Sequence, residues 1–392
     1  MKDSKSALVI VFSEARNDPR VRHQITWLAE DGWSVDTIGW GGLPSEEVNK
    51  HFDLLPQRAW VGTKWGSAFV YALFPLRYLF RVLTSDRIPL EARRHLRNGK
   101  YDLVVFDDFD FLPIIRDPAI FSKATIKAHV HLDIHEYRGR SKPLTTAWRY
   151  LTRRFYVWQR AMIGDRRIDS RSTVASRIAD LYSRDFAIDT PAIVRNCPPY
   201  ESQNPSALES GRVRLVYHGL ASASRGLAEM IEAMERLDER FTLTFMLTGN
   251  EAFQKKLRTL AAPLGARVNF VPPVPMPAIA AEINKYDLEI MFFKPVTKNL
   301  EFALPNKLFE AVQGRLGLVI GRSPMMVEVV EEFDNGIVVD GWSVDSLVSS
   351  LNSLTQEEVV RLKQKSHEAA LQLSAESEGK AFLKPILGSQ SN

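Results

Sequence analysis

The stretch ALPNKLFEAVQGRLGLVI, residues 303–320, decides how the rest of the chain is read. Its apolar end, Leu316 to Ile320, has the unbroken hydrophobic run of a strand buried on both faces. Ahead of it, Pro305 suits the opening of a helix, where a missing N–H leaves no bond unmade. On a helical wheel Asn306, Glu310 and Gln313 fall within about 60° of one another, while Leu308, Ala311 and Val312 lie opposite and Lys307 flanks the polar face. The helix follows a strand candidate ending near Phe293, so its amino terminus is expected at the carboxyl edge of a sheet. Free N–H groups there suit a phosphate, and a carboxylate one turn in suits a sugar diol. The plain alternative is a solvated face on an ordinary surface helix.

Upstream, LVYHGLASASRGLAEMIEAM (215–234) repeats the plan: a strand, Gly219, a small-residue loop, Arg225 and then a helix. Glycine lets backbone approach a ligand closely, and an arginine at a helix start offers a two-pronged clamp for phosphate oxygens. FMLTGNEAF (245–253), with Gly249, adds a third such turn. None of them carries the GxGxxG pattern of a dinucleotide site.

Short β-branched runs alternate with amphipathic stretches along the whole chain, which predicts parallel sheets covered by helices. Strands are expected at 7–12, 34–39, 102–106, 125–130 and 192–196, and then at 213–219, 241–249, 267–271, 288–293, 316–321 and 336–340. Between the two sets, PPYESQNPSALESGR (198–212) has linker composition. The fold class is therefore α/β: two Rossmann-like doubly wound domains, over 1–200 and 201–375, with a tail over 376–392 that can run back to the first domain. Two such domains bind ligands in a crevice at the carboxyl ends of their strands.

The composition, 45% apolar and 25% charged over 392 residues, excludes a disordered or fibrous chain. One cysteine, Cys197, excludes an internal disulfide and favours a reducing compartment. MKDSKSALVIVFSE reads as a first strand rather than a signal peptide, and no window approaches the roughly 20 apolar residues of a membrane span. The net charge of +4 is uneven: residues 1–200 hold 31 Lys+Arg against 23 Asp+Glu, and the remainder 20 against 24. A basic first half invites an anionic partner. Residues 58–97 interleave Trp60, Trp65, Phe69, Tyr71, Phe74, Tyr78 and Phe80 with arginines, and WRYLTRRFYVWQR (148–160) is similar. That pattern suits an interfacial anchor on an anionic membrane surface, with a domain core as the rival use of the aromatics. No nucleic-acid recognition motif accompanies the charge.

In the first half, SEARNDPRVRHQI (13–25) opens the first helix at a strand edge, making Arg16, Asn17 and Arg20 candidates for acceptor or phosphate contact. Asp18 and Pro19 fit a capped helix start equally well. Asp133, His135 and Glu136, in HVHLDIHEY (129–137), are further candidates for acceptor contact. His129, His131 and His135 around Asp133, and the D-x-D of DDFD (107–110), invite a metal reading. The histidines are expected to part as the strand ends, and no metal site is assigned.

ALPNKLFEAVQGRLGLVI with YHGLASASRGLAEMIEAM resembles the donor domain of GT-B glycosyltransferases, specifically the retaining family 4 type. YDLVVFDDFDFLP (101–113), HVHLDIHEY, STVASRIADLY (172–182) and AIVRNCPP (192–199) resemble that family's first domain in the same order. The resemblance implies the GT-B fold and transfer of a hexosyl group from a nucleotide-sugar donor to a glycan or lipid-linked acceptor of the cell envelope. It implies that Glu310 holds the ribose and Arg225 the diphosphate, and that backbone around Leu304, Pro305 and Asn306 approaches the donor, with Gly219, Gly249 and Lys307 beside it. It places His135 near the transferred sugar. No cofactor or metal is expected, because side-chain cations and helix dipoles stabilise the leaving diphosphate. Phe302 stands where the family's first motif glutamate would be, and Leu220 where many members have arginine. These departures keep a non-catalytic partner subunit open as a second reading, and a GT-B sugar-nucleotide epimerase is the nearest enzyme rival. The expected location is cytoplasmic, peripheral on the inner membrane face.

Overall fold

A computed structural model describes residues 5–61, 63–73, 81, 83–121, 127–137, 157–158, 161–295, 298–302 and 304–388. The chain divides into two compact units: Met1–Arg195 with Gly379–Asn392, and Asn196–Glu378.

Unit 1 carries a seven-stranded sheet in the order β3-β2-β1-β4-β5-β6-β7. The strands are β1 (Ser6–Glu14), β2 (Ser34–Trp40), β3 (Val48–Asp53), β4 (Leu103–Asp107), β5 (His129–Ile134), β6 (Ser170–Thr173) and β7 (Ala192–Ile193). Every pairing is parallel. Helices on both faces bury both sides of the central strands, so β1 reads Ala-Leu-Val-Ile-Val without polar alternation. Asp18 caps the first helix, Pro19–Glu30: its carboxylate accepts from the N–H of Arg20 at 3.1 Å, with Pro19 in the first turn. The carboxy-terminal helix Ala375–Gly388 contributes to this unit from Gly379 onward, and Phe382 lies 5.5 Å from the ring of Trp27.

Unit 2 carries a six-stranded sheet in the order β10-β9-β8-β11-β12-β13. Its strands are β8 (Val213–Leu220), β9 (Phe241–Thr248), β10 (Val268–Val271), β11 (Leu288–Met291), β12 (Gly317–Ile320) and β13 (Gly336–Val338), again all parallel. In each sheet the first two crossovers run one way from the first strand and the chain then returns to its other side. This is the doubly wound order, and its switch point falls between β8 and β11 in unit 2.

The expected fold class is what the structure shows. The strand expected at 125–130 instead runs His129–Ile134, and β3 and β6 were not expected. At the amino edge of unit 2, Asp287 is fully buried and accepts from Arg214 Nε at 3.0 Å and from Lys363 Nζ at 2.8 Å. Removing that carboxylate strands a buried ammonium. Asp287→Ala should lower the unfolding free energy by about 3–5 kcal/mol in urea titrations; a loss below about 1 kcal/mol would contradict this account of the edge.

Candidate functional site

The helix Asn306–Gln313 begins at Pro305, whose extended backbone (φ −74°, ψ 144°) turns the chain into it, and no side chain caps its amino terminus. Leu308, Phe309, Ala311 and Val312 are buried in the unit 2 core. Glu310, on the opposite side, points back to the carboxyl end of β8. There His218 Nε2 donates to Glu310 Oε2 at 2.7 Å, and His218 Nδ1 donates to Glu289 Oε2 at 3.1 Å. Glu289, on β11, is fully buried, while the Glu310 side chain keeps 13% exposure. Two acceptor-only partners require both ring nitrogens to be protonated. Burial alone would lower the His218 pKa, but Glu289 and Glu310 outweigh it and bring it up to about 9.

Lys307 leaves the same helix one position into it. Its ammonium donates to the His218 carbonyl at 2.6 Å and sits 3.8 Å from the ring centroid of Tyr217 and 5.4 Å from that of Phe293. The Arg225 guanidinium lies over the same Phe293 ring at 4.4 Å. Burial pulls the Lys307 pKa down to about 7; Glu289 and Glu310 oppose this, and Arg225 adds to it. Gly219 is what admits the lysine: with φ at +116°, a Cβ there would stand 2.9 Å from Lys307 Nζ. Gly226, at φ +72°, brings the Arg225 turn within 2.4 Å of the Phe292 carbonyl, measured from where its Cβ would be.

The structure therefore brings Gly219, Arg225, Lys307 and Glu310 together on one edge of unit 2. Asn306 stands at the helix start, where its side-chain oxygen accepts from Asn196 at 3.1 Å, next to half-buried Leu304. Gly249 belongs to the neighbouring β9 turn, where Asn250 caps the following helix and a Cβ on Gly249 would meet Leu220 at 2.7 Å. Gln313, grouped with Asn306 and Glu310 on the wheel, is drawn the other way. Its amide donates to the carbonyls of Ala370 and Leu373 at 2.6 and 2.9 Å. Sequence reasoning missed His218 and Glu289. The signal for Glu289 was available, a lone carboxylate inside the buried run LEIMFF.

In unit 1, Arg20 and Asp133 are spent on each other, with Nε to Oδ2 at 2.6 Å and Nη2 to Oδ1 at 2.7 Å, and both are buried. Arg20 and Asp133 were expected as acceptor contacts; their placement is that of an internal pair beneath the strand edge. Gln24 also donates to Asp133, at 2.6 Å. A directed ladder reaches the same carboxylate. Ser172 Oγ donates to Asp133 at 2.5 Å, so His131 Nε2 donates to Ser172 at 2.9 Å. His131 Nδ1 then accepts from Ser170 at 2.7 Å, and Ser170 from His129 Nε2 at 2.6 Å. Burial pushes His131 down to about 3, keeping it neutral as the ladder requires. Burial would raise Asp133 too, but Arg20 holds it well below the usual carboxylate range.

His135 Nε2 lies 2.7 Å from Asp107 Oδ1 and 3.3 Å from Asp133 Oδ2, with its side chain 24% exposed. Burial opposes its charge, yet the Asp107 carboxylate raises its pKa well above the ordinary imidazole value. Asp107, Asp133 and His135 have ligand atoms within 4.8 Å of one another. Arg20 already occupies both oxygens of Asp133, so the trio does not fit a cation, while His129 and His131 face Ser170 and Ser172. Arg16 and Asn17 are exposed at the end of β1, where Asn17 donates to Glu14 at 2.6 Å. Glu136 is exposed, and its carbonyl accepts from Tyr182 at 2.8 Å.

Of the basic aromatic segment, residues 74–80 lie outside the described residues, as does most of 148–160. In the helix Lys64–Leu73, Trp65 is 85% and Phe69 54% exposed. Three of the segment's arginines, Arg58, Arg81 and Arg93, approach Asp86 at 3.3, 3.7 and 3.6 Å. A fourth, Arg87, is buried over Phe12 and Trp40 at 4.7 and 5.0 Å. Among the described residues no helix is long and apolar enough to cross a membrane.

Residues 201–372, which lie within unit 2, match the model of the family Glycosyl transferases group 1. Comparison with curated protein sequences gives no match. Solved structures share the fold over nearly the whole chain. Sucrose-phosphate synthase from Thermosynechococcus elongatus superposes with a TM-score of 0.66 at 15% identity, covering 98% of each chain. HepE from Anabaena, in complex with UDP, gives 0.66 at 13% identity over 98% of this chain and 100% of that one. An E. coli trehalose-6-phosphate structure bound with UDP-2-fluoro glucose gives 0.64 at 12% identity over 97% and 99%. The fold is thus that of the two-domain GT-B glycosyltransferases.

The two buried cations act on stability with opposite signs. The folded His218 pKa of about 9 exceeds 6.5, so its contribution is complete below pH 6.5 and is lost as pH rises to 9. The folded Lys307 pKa of about 7 lies below 10.5, so its penalty shrinks as pH rises from 7 to 10.5. Removing the lysine removes the compensating rise. Relative to the wild type, the unfolding free energy of Lys307→Met should therefore fall between pH 7 and 9, by up to roughly 1.4 kcal/mol per pH unit. Urea unfolding across that range measures it, and a level difference would contradict the burial of a titrating ammonium.

Proposed function

We propose that the protein is a retaining nucleotide-sugar-dependent glycosyltransferase of the GT-B family 4 type, with the donor bound by unit 2. The observation that carries this reading is the meeting of Arg225, Lys307 and Glu310 at the turns after β8 and β11, within the span matched by the glycosyltransferase family. Opening a glycosidic bond puts negative charge on the departing nucleoside diphosphate. Two side-chain cations and an uncapped helix amino terminus are suited to receive it. Lys307 supplies the second charge at a site where Leu220 replaces the arginine of many relatives. Glu310, with one oxygen committed to His218, has the other available for a ribose hydroxyl. The UDP complexes among the structural neighbours make a uridine nucleotide the first donor class to test.

His135, charged and partly exposed at the end of β5, is the acceptor-side group of unit 1. The resemblance supports retention and a hexosyl acceptor that is a glycan or lipid-linked envelope precursor. Exposed Trp65 and Phe69 support peripheral attachment to the cytoplasmic face of a membrane. With four of the segment's arginines engaged in unit 1, the aromatic rings rather than net charge carry most of that attachment.

Isothermal titration with UDP tests the donor site. Glu310→Ala and Arg225→Met should each weaken binding at least about tenfold, and unchanged affinity in both would remove the assignment. If no nucleotide raises the melting temperature of the wild type, the non-catalytic reading gains. In vesicle sedimentation, Trp65→Ser with Phe69→Ser should reduce pelleting with anionic liposomes while leaving the melting temperature unchanged. Equal pelleting of both proteins would sink the aromatic anchor.

A further inference from the structure

Glu310 does not hold its own orientation. It stands in the second turn of an eight-residue helix, and among the described residues its side chain is hydrogen-bonded by His218 Nε2 alone, at 2.7 Å. His218 is itself fixed by three contacts. Its ring Nδ1 and its backbone N–H both reach Glu289, at 3.1 and 3.3 Å, and its carbonyl accepts from Lys307 at 2.6 Å. Glu289 comes from β11 and His218 from β8, the two strands flanking the switch point of the sheet. A carboxylate buried within a central strand has no packing value there. Its place is explained if it keeps the imidazole doubly protonated and immobile, with one N–H aimed outward at Glu310.

We infer that His218 is a positioning residue, and that the Glu289–His218–Glu310 string makes the site selective for a nucleotide with an intact ribose diol over its 2′-deoxy counterpart. This rests on the proposed donor site. A carboxylate pinned through one oxygen presents the other in a single direction, and a hydroxyl pair meeting it forms charge-assisted hydrogen bonds that a deoxyribose cannot complete. A carboxylate free to rotate would sacrifice that discrimination and leave the diphosphate contacts of Arg225 and Lys307 intact. Facing the imidazole are Glu289 from β11 and Glu310 from the helix Asn306–Gln313, with Lys307 of that helix nearby. Of these, Lys307 touches only the His218 carbonyl.

The test compares UDP with 2′-deoxy-UDP by calorimetry on the full chain. The wild type should favour UDP at least about tenfold near pH 7. His218→Gln should narrow that ratio to less than about threefold, with affinity for 2′-deoxy-UDP little changed and the melting temperature lowered, since two carboxylates lose their shared cation. If that variant does not fold, the wild type alone suffices. Its preference should decline as pH rises through the His218 value of about 9, while 2′-deoxy-UDP binding follows the same course in Glu310→Ala as in the wild type. Glu289→Gln, which weakens the hold on the ring proton, should bring the decline to lower pH. A wild-type protein that binds both nucleotides equally, or a His218→Gln protein that keeps the full preference, overturns the inference. A wild type that binds neither overturns the donor site instead.

Discussion

An imidazole whose two nitrogens both face carboxylates must carry two protons, and an imidazolium buried between β8 and β11 must be paid in negative charge. Glu289 and Glu310 supply two such charges, one more than His218 needs. Lys307 enters beneath the histidine to balance the second, which explains a lysine on the carbonyl of His218 and against two aromatic rings. Gly219 then has to be glycine, because the ammonium occupies the volume of its missing side chain. One charge requirement thus sets four positions on three separate segments.

Unit 1 handles its buried charge differently. The donors of His129, Ser170, His131, Ser172, Gln24 and Arg20 all run toward Asp133, directly or in series. A carboxylate so surrounded stays ionised in spite of its burial. Asp107 receives less, a 3.3 Å bond from Gln24 and the neighbouring His135, whose pKa its carboxylate raises. The two carboxylates sit side by side on β4 and β5, yet burial raises the pKa of Asp107 while Arg20 holds that of Asp133 low.

Much of this was legible beforehand. Pro305 and the apolar stripe of Leu308, Ala311 and Val312 announced the helix, and every strand of unit 2 was visible as a β-branched run. Two of the misses in unit 1, at β5 and β6, share one reason. Strand β6, SRST, is polar because its serines serve the histidines of β5, and β5 itself carries His129, His131 and Asp133 on one face. The strand expected at TIKAHV therefore began four residues too early. The wheel likewise grouped Gln313 with Glu310, since nothing local reveals that the carbonyls of Ala370 and Leu373 need donors. His218 hid beside Gly219 because a lone histidine has no periodicity to betray it.

The helix Ala375–Gly388 passes from one unit to the other at Glu378 and Gly379 without a break. Phe382, which packs on Trp27 and 5.2 Å from His131, emerges from the ribosome after all of unit 2. During synthesis unit 2 is a contiguous stretch that can close on itself, whereas unit 1, begun before it, waits for Phe382 until unit 2 has been made. The older unit by order of translation is the younger by order of completion.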